Sequence, residues 1–127
     1  MRAVDTNVLV RLLTRDDARQ LAAADAFVEA GAWVPHVALV ETVWVLESVY
    51  EFTQEQTVTA LEMLLDHATL SLQEPDVVEA ALNRYRKRAS PGFSDCLVLE
   101  TARRAGHLPL GTFDRDLAKL EGAQRLR

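Results

Sequence analysis

The sequence predicts an α/β fold in which a parallel sheet is covered by helices. Short apolar segments that read as strands alternate with longer segments at helical period, the pattern of a parallel sheet. The chain has 127 residues, the length of one domain, and the single domain is expected to span 1–127. Hydrophobic residues make up 49% and charged residues 26%, which excludes a disordered chain. No internal repeat, low-complexity tract or linker interrupts the pattern.

The elements follow in order. Residues 2–5 are a short apolar start that reads as a strand, and 6–13 read as a helix directly after it. Asp17 caps a helix that stops at Gly31. Residues 32–35 are the second strand candidate. Residues 37–50 read as a helix that is apolar nearly all round, and burial is expected for it. Thr53 and Gln56 fit a capping box that opens a helix to about residue 66. Residues 69–72 are a third strand candidate. Pro75 suits the first turn of a helix whose Val78, Ala81, Leu82 and Tyr85 lie on one stripe. Ser94 is expected to cap a helix ending at Gly106, with Val98, Thr101, Ala102 and Ala105 on one stripe. Residues 107–112 read as a strand, 114–120 as a short helix and 123–126 as a last strand.

Composition narrows the function classes. No apolar run approaches the roughly 18–20 residues of a membrane span. The N-terminal stretch carries Asp5 and further charges soon after, unlike a signal peptide. One cysteine, Cys96, excludes an internal disulfide and fits a reducing cytoplasm. The net charge of −5 argues against nucleic acid until it is divided along the chain. Residues 20–83 hold 11 acids and no Lys or Arg, whereas the flanks hold all 14 basic residues and 8 acids. A face built from the two ends would therefore attract phosphates, and the ends are expected to meet around the acids described next.

Asp5 and Asp114 fall where a strand gives way to a helix, and Asp95 falls in the first turn of one. Each has a plain reading as a helix cap or a partner of the helix dipole. In open parallel sheets, however, ligands bind beyond the carboxyl ends of the strands, where such residues stand. Glu41 is harder to dismiss. Its neighbours at helical spacing, Val37, Ala38, Trp44 and Val45, are all apolar, so it is expected to be buried. A buried carboxylate needs a partner, either a distant arginine such as Arg2 or Arg11 or a metal ion. If the acids converge, all-oxygen ligation selects Mg²⁺ or Mn²⁺, ions suited to phosphodiester hydrolysis.

Asp5-Thr6-Asn7-Val8-Leu9-Val10-Arg11 resembles the opening of the PIN-domain family, and specifically of its VapC-type toxin ribonucleases. Glu41, Gly92-Phe93-Ser94-Asp95 and Thr112-Phe113-Asp114-Arg115-Asp116 match that family's remaining motifs in order and approximate spacing. The resemblance implies a three-layer α/β/α sandwich with a central parallel sheet of about five strands. It also implies a metal-dependent endoribonuclease with Asp5, Glu41, Asp95 and Asp114 as catalytic and metal-binding acids. Asp116 is a candidate fifth acid, and Asn7 and Thr112 resemble residues that orient the carboxylates. An RNA substrate, a cognate antitoxin protein and a homodimer are implied as partners. His36, His67 and His107 form no ligand pattern and receive no catalytic role.

Arg84, Arg86, Lys87 and Arg88 form a basic cluster whose plain reading is a solvated helix end. Its functional reading is contact with RNA phosphates, shared with Arg11, Arg15 and Arg115. Aromatic residues are 6% of the chain, which argues for backbone and shape recognition over broad stacking. Trp33, Trp44, Met63 and their neighbours are mostly core, with apolar surface left for a partner.

Two other classes compete. A receiver-type phosphoacceptor needs paired acids after the first strand, a mid-chain acceptor aspartate and a late lysine. Thr6 follows Asp5, no aspartate lies between Asp25 and Asp66, and the late lysine, Lys119, follows the last motif. A haloacid-dehalogenase-like phosphatase needs an aspartate where Asn7 stands. A PIN-like module that binds RNA or protein without cutting is the remaining alternative, and the intact set of four acids argues against it.

Overall fold

The computed structural model describes residues Met1–Arg127. The chain divides into two compact units, Met1–Pro75 and Asp76–Arg127.

In the first unit, β1 (Arg2–Ala3), β2 (Ala32–Val34) and β3 (Leu70–Leu72) form a parallel sheet in that order. Register sets Arg2 against Ala32 and Ala32 against Leu70. Ala32, Val34, Leu70 and Leu72 are buried, and Trp33 and Ser71 between them are exposed, the two-residue alternation of a strand. Between the strands run α1 (Thr6–Thr14), α2 (Ala18–Val28), α3 (His36–Ser48) and α4 (Gln54–Asp66). Helix α1 packs on α2 and α3 through buried Leu9, Val10 and Leu12. The capping box of α4 is present: the Gln56 amide donates to Thr53 Oγ1 at 3.2 Å, and the Thr53 amide donates to Gln56 Oε1 at 2.8 Å.

Helix α3 departs from expectation. Ala38, Leu39, Thr42, Val43 and Leu46 are buried, but Val37, Trp44 and Val49 are exposed, Trp44 to 63%. An apolar circumference does not force burial, because the neighbouring helices α1 and α4 cover only part of it.

The second unit holds α5 (Pro75–Lys87, begun by the last residue of the first unit) and α6 (Phe93–Ala105). These are followed by β4 (Leu110–Thr112), a 3-10 turn (Leu117–Lys119) and β5 (Ala123–Arg125). The expected stripe of α5 is buried, and Tyr85 meets Phe93 edge-to-face at 6.2 Å. Helix α6 begins earlier than expected. Gly92 in extended conformation is its N-cap, so Ser94 lies inside the first turn. Its core stripe is Phe93, Cys96, Leu97 and Leu99, whereas Val98, Thr101 and Ala105 face solvent.

The single sheet of about five strands is corrected. The five strands form two parallel sheets, three strands in the first unit and β4 paired with β5 in the second. Each strand has two or three residues, so each edge offers few ladder hydrogen bonds and helix packing carries the order.

A polar clasp closes one end of the first unit. Arg11 Nη1 donates to Asp16 Oδ1 at 2.6 Å, and the Tyr50 hydroxyl donates to Asp16 Oδ2 at 3.0 Å. The Thr14 hydroxyl donates to Asp16 at 2.8 Å. The hydrogen bond from Thr14 and then that from Tyr50 hold the Asp16 carboxyl below the usual carboxylate range. A carboxyl with a lowered folded-state pKa contributes stability above its unfolded value that fades as pH falls through the folded value. Thermal denaturation of Asp16→Ala should therefore show its full loss of Tm above about pH 5, shrinking toward nothing by about pH 2. A deficit that does not depend on pH would assign Asp16 a purely steric role.

Candidate active site

In the first unit, the chain leaves β1 and turns into α1 at Asp5. The Asp5 side chain accepts from the Val8 amide at 3.2 Å through Oδ1, which makes it the N-cap of α1. The cap reading holds, and it uses only one carboxylate oxygen. The next residue, Thr6, donates its hydroxyl to Glu41 Oε2 at 3.4 Å, so the first turn of α1 meets the middle of α3. Glu41 is exposed, which corrects its expected burial; two of the apolar neighbours that suggested burial, Val37 and Trp44, are themselves exposed. Neither arginine considered as its partner reaches it. Arg2 stacks on the Phe27 ring at 3.8 Å and donates to the Phe27 carbonyl, and Arg11 is held by Asp16. Asn7 is exposed in the first turn of α1, beside Asp5 in the fold.

At the carboxyl end of β2, His36 is structural. Its amide donates to Gln73 Oε1 at 2.9 Å, and its Nε2 lies 2.7 Å from the Gln73 carbonyl. This ties the start of α3 to the end of β3. His67 Nδ1 accepts from the Thr69 amide at 3.2 Å, a turn contact.

In the second unit, Asp95 occupies the first turn of α6 and is half-buried. Burial raises its carboxyl above the usual range, and the negative charge of Asp114 raises it further. Two acids therefore influence each other with no cation between them. Asp114 follows β4. The Thr112 hydroxyl accepts from the Asp114 amide at 3.0 Å, and Asp114 Oδ1 accepts from the Leu117 amide at 2.7 Å. Thr112 thus touches the backbone of Asp114 and not its carboxylate. Asp116 is occupied differently: Ser90 donates to it at 2.5 Å and Lys119 lies 3.7 Å away. The Ser90 hydrogen bond is the main reason its pKa is lowered. Thr6 and Ser90 are site neighbours that sequence reasoning missed; only their adjacency to Asp5 and to the loop before Asp95 signalled them. Next to Asp95, Cys96 is a buried thiol pushed up to about 11, chiefly by burial, and is no nucleophile.

The basic residues divide as well. Arg84 Nε donates to Glu100 at 3.0 Å, and Arg103 Nε lies 3.4 Å from the same carboxylate, so Arg84 has a structural partner. Arg86 donates to Asn83 at 2.5 Å. Lys87, Arg88 and Arg115 are exposed. Arg84, Lys87 and Arg88 line a cleft of about 330 Å³ with Asn83 and Glu100.

Some carboxylates have a basic partner: Asp16 has Arg11, Asp76 has Arg104, Glu100 has Arg84, and Asp116 has Lys119. Asp5, Glu41, Asp95 and Asp114 have none. Within neither unit do three His, Cys, Asp or Glu side chains gather closely enough to hold a metal. Each unit instead presents two of these unpaired acids. Carboxylate oxygens without a fixed cation are the donor set a hard divalent ion takes.

Glu100 is the buried carboxylate of the second unit, between two arginines that are about a third exposed. Glu100→Ala should lower stability by roughly 1–3 kcal/mol, since it strands part of two guanidinium groups. Chemical denaturation measures this, and an unchanged midpoint would show the cluster to be idle.

Similarity to known proteins agrees with this layout. The PIN domain pattern matches residues 2–123. A VapC ribonuclease from Aquifex aeolicus (strain VF5) is 26% identical over 125 residues, covering 94% of this chain and 92% of the relative. No helix is long and apolar enough to cross a membrane. With the match running across both units and through every acid described above, the chain belongs to the PIN domain family.

Proposed function

We propose that this protein is a metal-dependent endoribonuclease, the toxin of a toxin–antitoxin pair, with Asp5, Glu41, Asp95 and Asp114 as its catalytic acids. The observation that carries the reading is that Asp5, Glu41, Asp95 and Asp114 have no basic partner, whereas Asp16, Glu100 and Asp116 do. The family match across 2–123 and the VapC ribonuclease relative support it, and support treating 1–127 as one working domain.

Asp5, Glu41, Asp95 and Asp114 would hold Mg²⁺ or Mn²⁺, with Asp116 an auxiliary acid already engaged by Ser90. When bound, such an ion supplies counter-charge to the carboxylates and makes water a nucleophile at neutral pH. The chain's own residues do the rest. Thr112 and the Leu117 amide fix Asp114, and Val8 fixes Asp5. Asn7 stands free to orient a carboxylate or the substrate. Arg84, Arg86, Lys87, Arg88, Arg115 and Arg11 are assigned to RNA phosphates, with the exposed Lys87, Arg88 and Arg115 the principal contacts. Arg11 and Arg84 act mainly through the ion pairs that hold them. The exposed apolar residues Val37 and Trp44 of α3 fit an antitoxin or a second copy of the chain, in the cytoplasm.

The test is cleavage of RNA by purified protein with added Mg²⁺ or Mn²⁺. Asp5→Asn and Asp95→Asn should each lower the rate on the order of 10²–10³-fold while leaving the circular dichroism spectrum intact. Exhaustive chelation should do the same to the unaltered protein. Full activity in either variant, or after chelation, would sink the proposal. Binding without cleavage under every metal condition would favour the non-catalytic module. Expression in a bacterial host, with and without the product of the neighbouring gene, should give growth arrest that the neighbour relieves.

A further inference from the structure

We infer that Phe113 is a stacking platform for a nucleobase of single-stranded RNA next to the cleaved bond, a positioning residue of the active site. The inference rests on the nuclease reading above.

Phe113 is 74% exposed, the most exposed aromatic side chain of the molecule. The chain has four phenylalanines. Phe27 lies under Arg2, Phe52 meets Tyr50, and Phe93 meets Tyr85. Phe113 alone has no ring or cation partner. Its backbone is nevertheless held. The Asp114 amide donates to Thr112 Oγ1 at 3.0 Å, Asp114 Oδ1 accepts from the Leu117 amide at 2.7 Å, and the Ala118 amide donates to the Asp114 carbonyl at 3.1 Å. Leu117 is buried and anchors the turn. A large apolar ring therefore stands in water on a fixed turn, with Thr112 on one side of it and Asp114 on the other.

The surroundings indicate its occupant. Consecutive Cα atoms lie about 3.8 Å apart, so ring and carboxylate reach adjoining parts of one nucleotide. Arg115, exposed in the same turn, suits the phosphate. A protein-docking hot spot would be ringed by other apolar groups. Gly111, Thr112, Asp114, Arg115 and Asp116 flank Phe113 in sequence without a large apolar side chain, and the one leucine bonded across to Thr112, Leu126, packs toward Gly111 and forms no ring of apolar groups. A flat ring beside a cation and an acid fits a splayed-out base, which stacks on aromatic side chains whatever its identity.

The experiment compares the unaltered protein with Phe113→Ala and Phe113→Trp on a short fluorogenic oligoribonucleotide. Phe113→Ala should raise KM on the order of tenfold, with kcat changed far less and Tm unmoved. Phe113→Trp should restore KM. In an Asp5→Asn background, Phe113→Trp fluorescence should change on adding a single-stranded oligoribonucleotide, and not on adding an abasic strand of equal length and charge. An unchanged KM in Phe113→Ala would overturn the inference, as would an equal response to the abasic strand. If the unaltered protein cuts no RNA, the nuclease reading fails, and the fluorescence titration still decides whether Phe113 stacks on bases. Loss of antitoxin capture by Phe113→Ala with RNA KM unchanged would reassign the ring to a protein partner and overturn it.

Discussion

Strands of two or three residues constrain everything else in this protein. Each makes so few ladder hydrogen bonds that a sheet alone would not hold. The order comes from helices that bury leucines and valines, α1 on α2 and α3 in the first unit and the Tyr85–Phe93 contact in the second. Short strands also bring their carboxyl ends close to the helix starts. Asp5 follows β1 by two residues, and Asp114 follows β4 by two. The acids stand where the fold has the least freedom to move them.

A second constraint is charge. Basic side chains hold the acids that do structural work: Arg11 holds Asp16, and Arg84 and Arg103 hold Glu100. Asp5, Asp114 and Glu41 are tied instead by neutral donors: a backbone amide for Asp5 and for Asp114, a hydroxyl for Glu41. Neutral donors position a carboxylate without cancelling its charge. Burial raises the pKa of Asp95, and the charge of Asp114 beside it raises it further.

Features set by neighbours in sequence were legible from sequence alone. The Thr53–Gln56 capping box, the Asp17 cap and the buried stripe of α5 depend on spacings of three or four residues, and all are present. The four acids stood out as motifs, and the family match spans all of them; the hydrogen bond that Thr112 makes reaches the Asp114 amide and not its carboxylate. What depends on distant packing was not legible. The burial of Glu41 was inferred from apolar neighbours, yet those neighbours include the exposed Val37 and Trp44. Ser94 was read as a cap because serine favours that position, but Gly92 already turns the chain. The Arg84–Glu100 pair spans 16 residues, and no local pattern reports it. The low aromatic content suggested little stacking; composition counts rings but does not say which one is left in the open.

The caps on Asp5 and Asp114 have one further consequence. Each aspartate uses Oδ1 to hold its own turn and leaves Oδ2 unengaged by the backbone. Asparagine would keep an acceptor oxygen for the turn and exchange the other oxygen for a nitrogen, with no change of shape. The turn and the open oxygen thus belong to different atoms of the same side chain. A one-atom exchange at either position alters the charge the turn presents, with no loss of the architecture that presents it.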